Sequence, residues 1–214
     1  MEKEKSKHGM SSELASYKKK NGHFLESEVA LRNGGIVVNN SGKIDVIEEN
    51  GLRVQVKGGK KTQWSLLSEN TVLKNFVGEQ KKTFQNYFSF LPDDKTFFFE
   101  NRNKFKNNPF AEELLKVFEN DYFSLIYFFC GCKNIDVYNF YDTRDNSHIR
   151  IEKDFFTEKI KKSIVKVYIT KGGKLVFSGG KKNTILFELE LRKGTNHKKL
   201  LFHSPLHRII DLFK

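Results

Sequence analysis

The sequence is poor in cysteine, in proline and in long apolar runs. Two cysteines, Cys130 and Cys132, are too few for a disulfide framework, which suits a reducing, cytoplasmic setting. The longest apolar run, Tyr122 to Cys130, is broken by Ser124 and far too short to span a bilayer. Met1 to Met10 is rich in Lys and Glu and has no apolar stretch, so no secretory signal is expected. Only Pro92, Pro109 and Pro205 punctuate the chain, and neither an internal repeat nor a low-complexity linker divides it. A GxxxxGK[ST] loop is absent, so no nucleotide cofactor is expected. These absences exclude a secreted scaffold and a membrane protein. With 21 Phe and 38% apolar residues, the chain is not a disordered basic tail either.

What the sequence does have is positive charge, unevenly placed. The formal charge is +12, yet residues 1–149 carry 22 basic against 20 acidic side chains, and residues 150–214 carry 16 against 6. A third of the chain therefore holds nearly all of the excess, and a concentrated positive field suits a polyanionic partner.

Local patterns give a mixed α/β protein. Helices are expected over 12–20, stopped by Asn21-Gly22, and over 23–32, ended by Gly34-Gly35. Strands follow at 36–38, 43–48 and 52–57, and then a helix at 62–76. Residues 96–100 read as a strand and 109–120 as a helix with Pro109 near its first turn. Periodicity does not decide whether 123–130 is a strand or a helix. From Ile164 onward strands are expected at 165–170, 174–178, 184–191 and 198–202, the third with the alternation of a half-exposed strand.

The chemistry concentrates in Gly42 to Lys57, two strands joined by a tight turn. A two-residue Asn50-Gly51 loop would mix polar and apolar side chains on both faces. A three-residue loop, Glu49-Asn50-Gly51, with Gly51 in the left-handed conformation, pairs Glu48 with Leu52 instead. It gathers Ile44, Val46, Val54 and Val56 on one face, and burial of that face fixes the register. Lys43, Asp45, Arg53, Gln55 and Lys57 then share the other face, with Asp45 opposite Gln55. A carboxylate and an amide oxygen are hard ligands suited to Mg²⁺, and a neighbouring ammonium can meet charge on a phosphate or orient a water. An ordinary solvated hairpin face fits the spacing equally well.

Asp45, the hairpin and Gln55-Val56-Lys57 resemble the signature of the PD-(D/E)xK nucleases, with Gln in place of the second acid. Upstream, Asn21-Gly22-His23-Phe24-Leu25-Glu26 and the stretch to Gly35 are similar to that family's first helix, with Glu26 at its acidic position. The resemblance covers residues 20–67. It implies a central mixed sheet flanked by helices and Mg²⁺-dependent phosphodiester hydrolysis. Asp45, Gln55 and the Val56 backbone carbonyl would ligate the metal, Lys57 would position the attacking water, and Glu26 would hold a metal-bound water or a second metal. Ile44 stands where the family has proline. Glu28 competes with Glu26, but it can pair with Arg32 one turn on.

Glycine-lysine turns recur at Gly58-Gly59-Lys60-Lys61, Gly172-Gly173-Lys174 and Gly179-Gly180-Lys181-Lys182. Lys60, Lys61, Gln63, Lys174, Lys181 and Lys182 are the candidate DNA contacts, with Gln63 and Trp64 opening the expected helix and Trp64 in the core. Cys130-Gly131-Cys132 lacks the four ligands of a zinc site and reads as buried thiols. Asp136, Asp142 and Asp145 are expected to cap turns. The Phe-rich stretch 84–99 reads as core, with a homodimer surface as the alternative.

One α/β nuclease domain over 1–214 is expected, with catalytic elements in 12–76 and a basic β-rich DNA-contacting region in 150–214. The function expected is sequence-specific cleavage of double-stranded DNA by a type II restriction enzyme, because the chain that follows the catalytic hairpin is far longer than a minimal junction-cutting nuclease needs and carries the charge. The alternatives are a structure-specific resolvase or repair nickase, and a catalytically inactive DNA-binding module, for which Gln55 is the hint.

Overall fold

Glycines at positive φ divide the first half of the chain into its elements. A helix, α1 (Ser12–Arg32), ends where Gly34 turns left-handed at φ +62. Strand β1 (Ile36–Val37) then pairs with β2 (Val46–Ile47), and β2 with β3 (Arg53–Gly58) across the Gly51 turn. The computed structural model describes residues 12–38, 43–180, 184–192 and 197–214.

Asn21-Gly22 does not stop α1, contrary to expectation. A glycine inside a helix costs only about 1 kcal/mol. Once Leu25, Val29 and Ala30 are docked, extending the helix needs no new nucleation.

The expected helix over 62–76 is also corrected. Lys61–Ser68 is a strand, β4, and the helix α2 (Glu69–Asn75) begins only after Ser68 caps it by accepting the Thr71 N–H. Thr62 and Trp64 point inward while Lys61 and Gln63 are exposed, the alternation of a strand. The expected strand at 96–100 is instead helix α4 (Lys95–Asn101), which follows α3 (Gly78–Ser89). Asp94 caps α4 by accepting the N–H groups of Thr96 and Phe97, and this cap outweighs the β preference of three consecutive phenylalanines. After α5 (Ala111–Val117), the ambiguous apolar run forms a helix, α6 (Tyr122–Cys130), closed by Gly131 at φ +76.

Residues 137–163, for which no element was expected, form β5 (Val137–Asp142), β6 (Ser147–Glu152) and α7 (Lys153–Ser163). In β5 the side chains of Val137, Tyr138, Asn139 and Phe140 are all buried, so no polar alternation marks it as a strand. The four C-terminal strands lie close to where they were expected: β7 (Ile164–Ile169), β8 (Leu175–Gly179), β9 (Thr184–Arg192) and β10 (Lys199–Pro205), followed by α8 (Leu206–Ile210).

Two five-stranded sheets result, with strand orders β1-β2-β3-β5-β6 and β4-β10-β9-β8-β7. The first is mixed, since β3 and β5 run parallel, and helices flank both. The chain passes between sheets at the turn from β3 to β4. An aromatic core joins them: Trp64 of the second sheet contacts Tyr138 and Phe140 of the first, and Phe187 lies stacked on Phe202 at 5.2 Å. A smaller core of Val29, Ala30, Val46, Val54, Val56 and Val137 fixes α1 to the first sheet. Cys130 and Cys132 are buried free thiols, as expected. Of the Phe-rich stretch, Phe84, Phe88 and Phe98 are core while Phe97 and Phe99 are exposed. Among the described residues no helix is long and apolar enough to cross a membrane.

Phe202 is fully buried and stacks on both Phe187 and Phe129. Phe202→Ala is expected to lower unfolding free energy by about 3–5 kcal/mol, read by urea denaturation with Trp64 fluorescence as the probe. A loss below about 1 kcal/mol would contradict this packing.

Candidate active site

The hairpin closes on the three-residue loop expected of it. Gly51 sits at φ +82, its N–H reaches the Glu48 carbonyl at 2.8 Å, and Glu48 N–H reaches Leu52 O at 3.0 Å. Val46 faces Val54 and Ile47 faces Arg53, and regular pairing ends there, with the Asp45 N–H reaching the Val54 carbonyl at 2.9 Å. Two ion pairs from outside brace this loop. Arg53 makes a two-pronged contact with Asp136, at 2.8 Å to each carboxylate oxygen, and Arg150 of β6 holds the buried Glu48 through both guanidinium nitrogens. Asp136 thus braces the hairpin rather than capping a turn, and its hydrogen bonds with Arg53 pull its pKa down to about 2. Asp142 and Asp145 do cap turns, accepting the N–H groups of Arg144 and Ser147.

At Asp45 the strand departs from regular alternation. Its carboxylate Oδ2 accepts the Val56 N–H at 2.8 Å, standing in for a ladder carbonyl. Val46, Val54 and Val56 share one face as expected, and it packs toward α1, but Ile44 lies against the aromatic core instead. The apolar face is therefore one residue shorter than its sequence suggests, because the side chain of Asp45 is spent on the backbone.

Around Asp45 the chain gathers Lys57, Gln55 and Lys43. Lys57 Nζ lies 4.0 Å from Asp45 Oδ2, with both side chains mostly buried. Gln55 is 1% exposed; its Nε2 donates to the Lys43 carbonyl at 3.0 Å, and its Oε1 is buried without a partner. Lys43, which carried no assigned role, donates to the carbonyls of Trp64 and Phe129, the latter at 3.1 Å. Burial raises the Asp45 pKa, against the opposing pull of Lys57 and the Val56 N–H. Burial likewise lowers that of Lys57, which the charges of Asp45 and Glu26 oppose. Lys43 is lowered to about 8 by burial and by repulsion from Lys57.

Glu26 on α1 is held by His23 Nδ1 at 3.0 Å, and its charge reaches Lys57. Glu28 is turned elsewhere, toward Arg32 at 3.4 Å and His148 at 3.7 Å. Among the described residues no three His, Cys, Asp or Glu side chains converge as a metal cage. The hard oxygen donors at this spot are Asp45, the Gln55 amide and backbone carbonyls.

The candidate DNA contacts are dispersed. Lys60 is exposed in the turn after β3, where Gly59 adopts φ +91. Lys61 and Gln63 are exposed on β4 rather than on a helix. Lys61 lies 3.9 Å from Glu188, and Lys174 is engaged by Glu190 at 2.7 Å and Glu188 at 3.4 Å. These two cations are thus answered by carboxylates of β9. Lys181 and Lys182 lie outside the described residues.

No family model matches the chain, and no curated protein matches it. Among solved structures, it is similar to the crystal structure of restriction endonuclease MspI in complex with its cognate DNA. Identity is 12%, the alignment covers 91% of this chain and 80% of that one, and the TM-score is 0.44.

The buried Lys43 has a consequence for stability. Its folded pKa of about 8 lies below the unfolded value of 10.5, so between those pH values the unfolded chain binds more protons. The charge penalty is complete below pH 8 and vanishes as pH rises to 10.5. Relative to Lys43→Met, the wild-type protein should therefore gain roughly 3 kcal/mol between pH 7.5 and pH 10.5, measured by urea unfolding. A constant difference between the two proteins would contradict the lowered pKa.

Proposed function

We propose that the protein is a Mg²⁺-dependent endonuclease for double-stranded DNA, acting as a type II restriction enzyme. The observation that carries this reading is the approach of Lys57 to Asp45, 4.0 Å apart and largely buried, beside the unpartnered Gln55 oxygen. A buried amide oxygen without a donor is costly, and a hard cation is the partner that suits both it and a carboxylate. The residues fit such an ion. Asp45, Gln55 and the Val56 carbonyl would hold it, with Glu26 on a metal-bound water or a second ion. When bound, Mg²⁺ supplies Lewis acidity toward phosphate oxygens and water.

The side chains of the chain itself do the rest. Lys57, fixed by Asp45 and shielded from bulk water, orients the attacking water and meets charge developing on the phosphate. The Val56 N–H holds the Asp45 carboxylate in one orientation. The hairpin braces keep both on a rigid element, as a site that must position a phosphodiester requires. Most of the chain follows this hairpin, and the basic excess of residues 150–214 supports a long duplex contact and sequence-specific rather than branch-specific cutting.

Incubation with phage DNA and Mg²⁺ should give discrete, reproducible fragments. Asp45→Asn and Lys57→Ala should each slow cleavage by at least about a hundredfold. Cleavage confined to branched DNA would favour a resolvase, and DNA binding without any cleavage would favour an inactive binding module. Gln55→Glu adds a negative charge beside the metal, so half-maximal cleavage should need several-fold less Mg²⁺. An unchanged requirement would remove Gln55 from the metal site.

A further inference from the structure

Among the described residues, only the C-terminal half of α1 carries buried side chains. The helix docks on β1, β2 and β3 through Leu25, Val29 and Ala30. Upstream of Leu25, the described side chains of Glu13, Ser16, Lys19, Lys20, Asn21, His23 and Phe24 are exposed. That segment also contains Asn21-Gly22, a poor helix-forming pair, and a helical stretch this short is marginal in water by itself.

Two of its described charges are unpartnered as well. Among the described residues, the Lys19 and Lys20 side chains meet no carboxylate and make no hydrogen bond. Lys61 and Lys174, also candidate DNA contacts, have carboxylate neighbours in Glu188 and Glu190. Lys19 and Lys20 are thus free cations on the helix that carries Glu26.

The geometry is directional. Lys19, His23 and Glu26 are spaced i, i+4 and i+7, so they share one face of α1. His23 is already bonded to Glu26 at 3.0 Å. Lys19 lies two turns before Glu26, about 10.5 Å along the axis. At a rise of roughly 3.4 Å per nucleotide, that is about three nucleotides along one DNA strand.

Resting on the nuclease reading above, we infer that the N-terminal half of α1 is a phosphate-tracking arm. Lys19 and Lys20 contact the DNA backbone about three nucleotides from the phosphate held at Asp45 and Lys57, and duplex DNA is what supports the unpartnered helix. The exposed Phe24 offers a second copy of the chain as the competing occupant.

The test is binding of a fluorescent duplex, without divalent metal, across a NaCl series. Each phosphate contact contributes about 0.9 to the slope of log K against log salt. Lys19→Gln/Lys20→Gln should therefore reduce the slope by nearly two and weaken binding about tenfold or more at 0.1 M salt. Lys19→Arg/Lys20→Arg should restore both, because Gln, Lys and Arg have similar helix propensities and only the charge differs. Backbone amides of residues 13–22 should gain hydrogen-exchange protection when DNA is added. An unchanged slope, or DNA binding without that protection, overturns the arm while leaving the nuclease reading intact. Protection that rises with protein concentration in the absence of DNA gives the helix to a second copy and also overturns it. A wild-type protein that neither binds nor cleaves DNA removes the nuclease reading, and the arm with it.

Discussion

Everything at the candidate site depends on how one short turn closes. Gly51 at φ +82 allows a three-residue loop where Asn-Gly would ordinarily invite two, and one residue more or less would flip every side chain of β2 relative to β3. Closed this way, the hairpin buries Val46, Val54 and Val56 against α1 and leaves Asp45 alongside the Val54 to Val56 stretch of β3. Asp45 then accepts the Val56 N–H, and Lys57 comes within 4.0 Å of it. The Arg53–Asp136 and Arg150–Glu48 pairs hold the loop to β5 and β6. A single backbone conformation therefore decides whether an acid, an amide and a lysine meet.

The hairpin was readable because its determinants are local: a turn residue and an alternation that only one register buries cleanly. The C-terminal strands were readable for the same reason, as in the Leu186 to Arg192 alternation. Where long-range contacts decide, the sequence misleads. Trp64 and Leu67 have helical spacing, but Trp64 donates through its indole to Ser204, 140 positions away, and β4 pairs along the length of β10. Strand β5 is buried on both faces and shows no period. Three adjacent phenylalanines suggest a strand until Asp94 supplies a helix cap.

The candidate site divides in the same way. Asp45 joins the candidate site through its bond to the Val56 N–H, and the shared face of Gln55 and Lys57 follows from the alternation of β3. Lys43 follows from neither, because its burial depends on the Trp64 and Phe129 carbonyls, which come from β4 and α6. The Glu188 and Glu190 carboxylates were visible as the polar half of an alternating strand. Which cations they would neutralise depends on the order of strands in the second sheet. The charge excess of the β-rich third already counts both carboxylates, so their pairing decides which lysines stay free rather than how large the excess is, and the free lysines of α1 lie in the nearly neutral part of the chain.

The proposed function needs one hard cation held between Asp45 and Gln55. Anomalous diffraction from crystals soaked in Mn²⁺, a stand-in for Mg²⁺, tests it most directly. A nuclease site of the proposed kind gives a peak about 2 Å from both an Asp45 carboxylate oxygen and the Gln55 amide oxygen, with Lys57 close by. A fully occupied metal elsewhere, with the Gln55 oxygen still unpartnered, would contradict it.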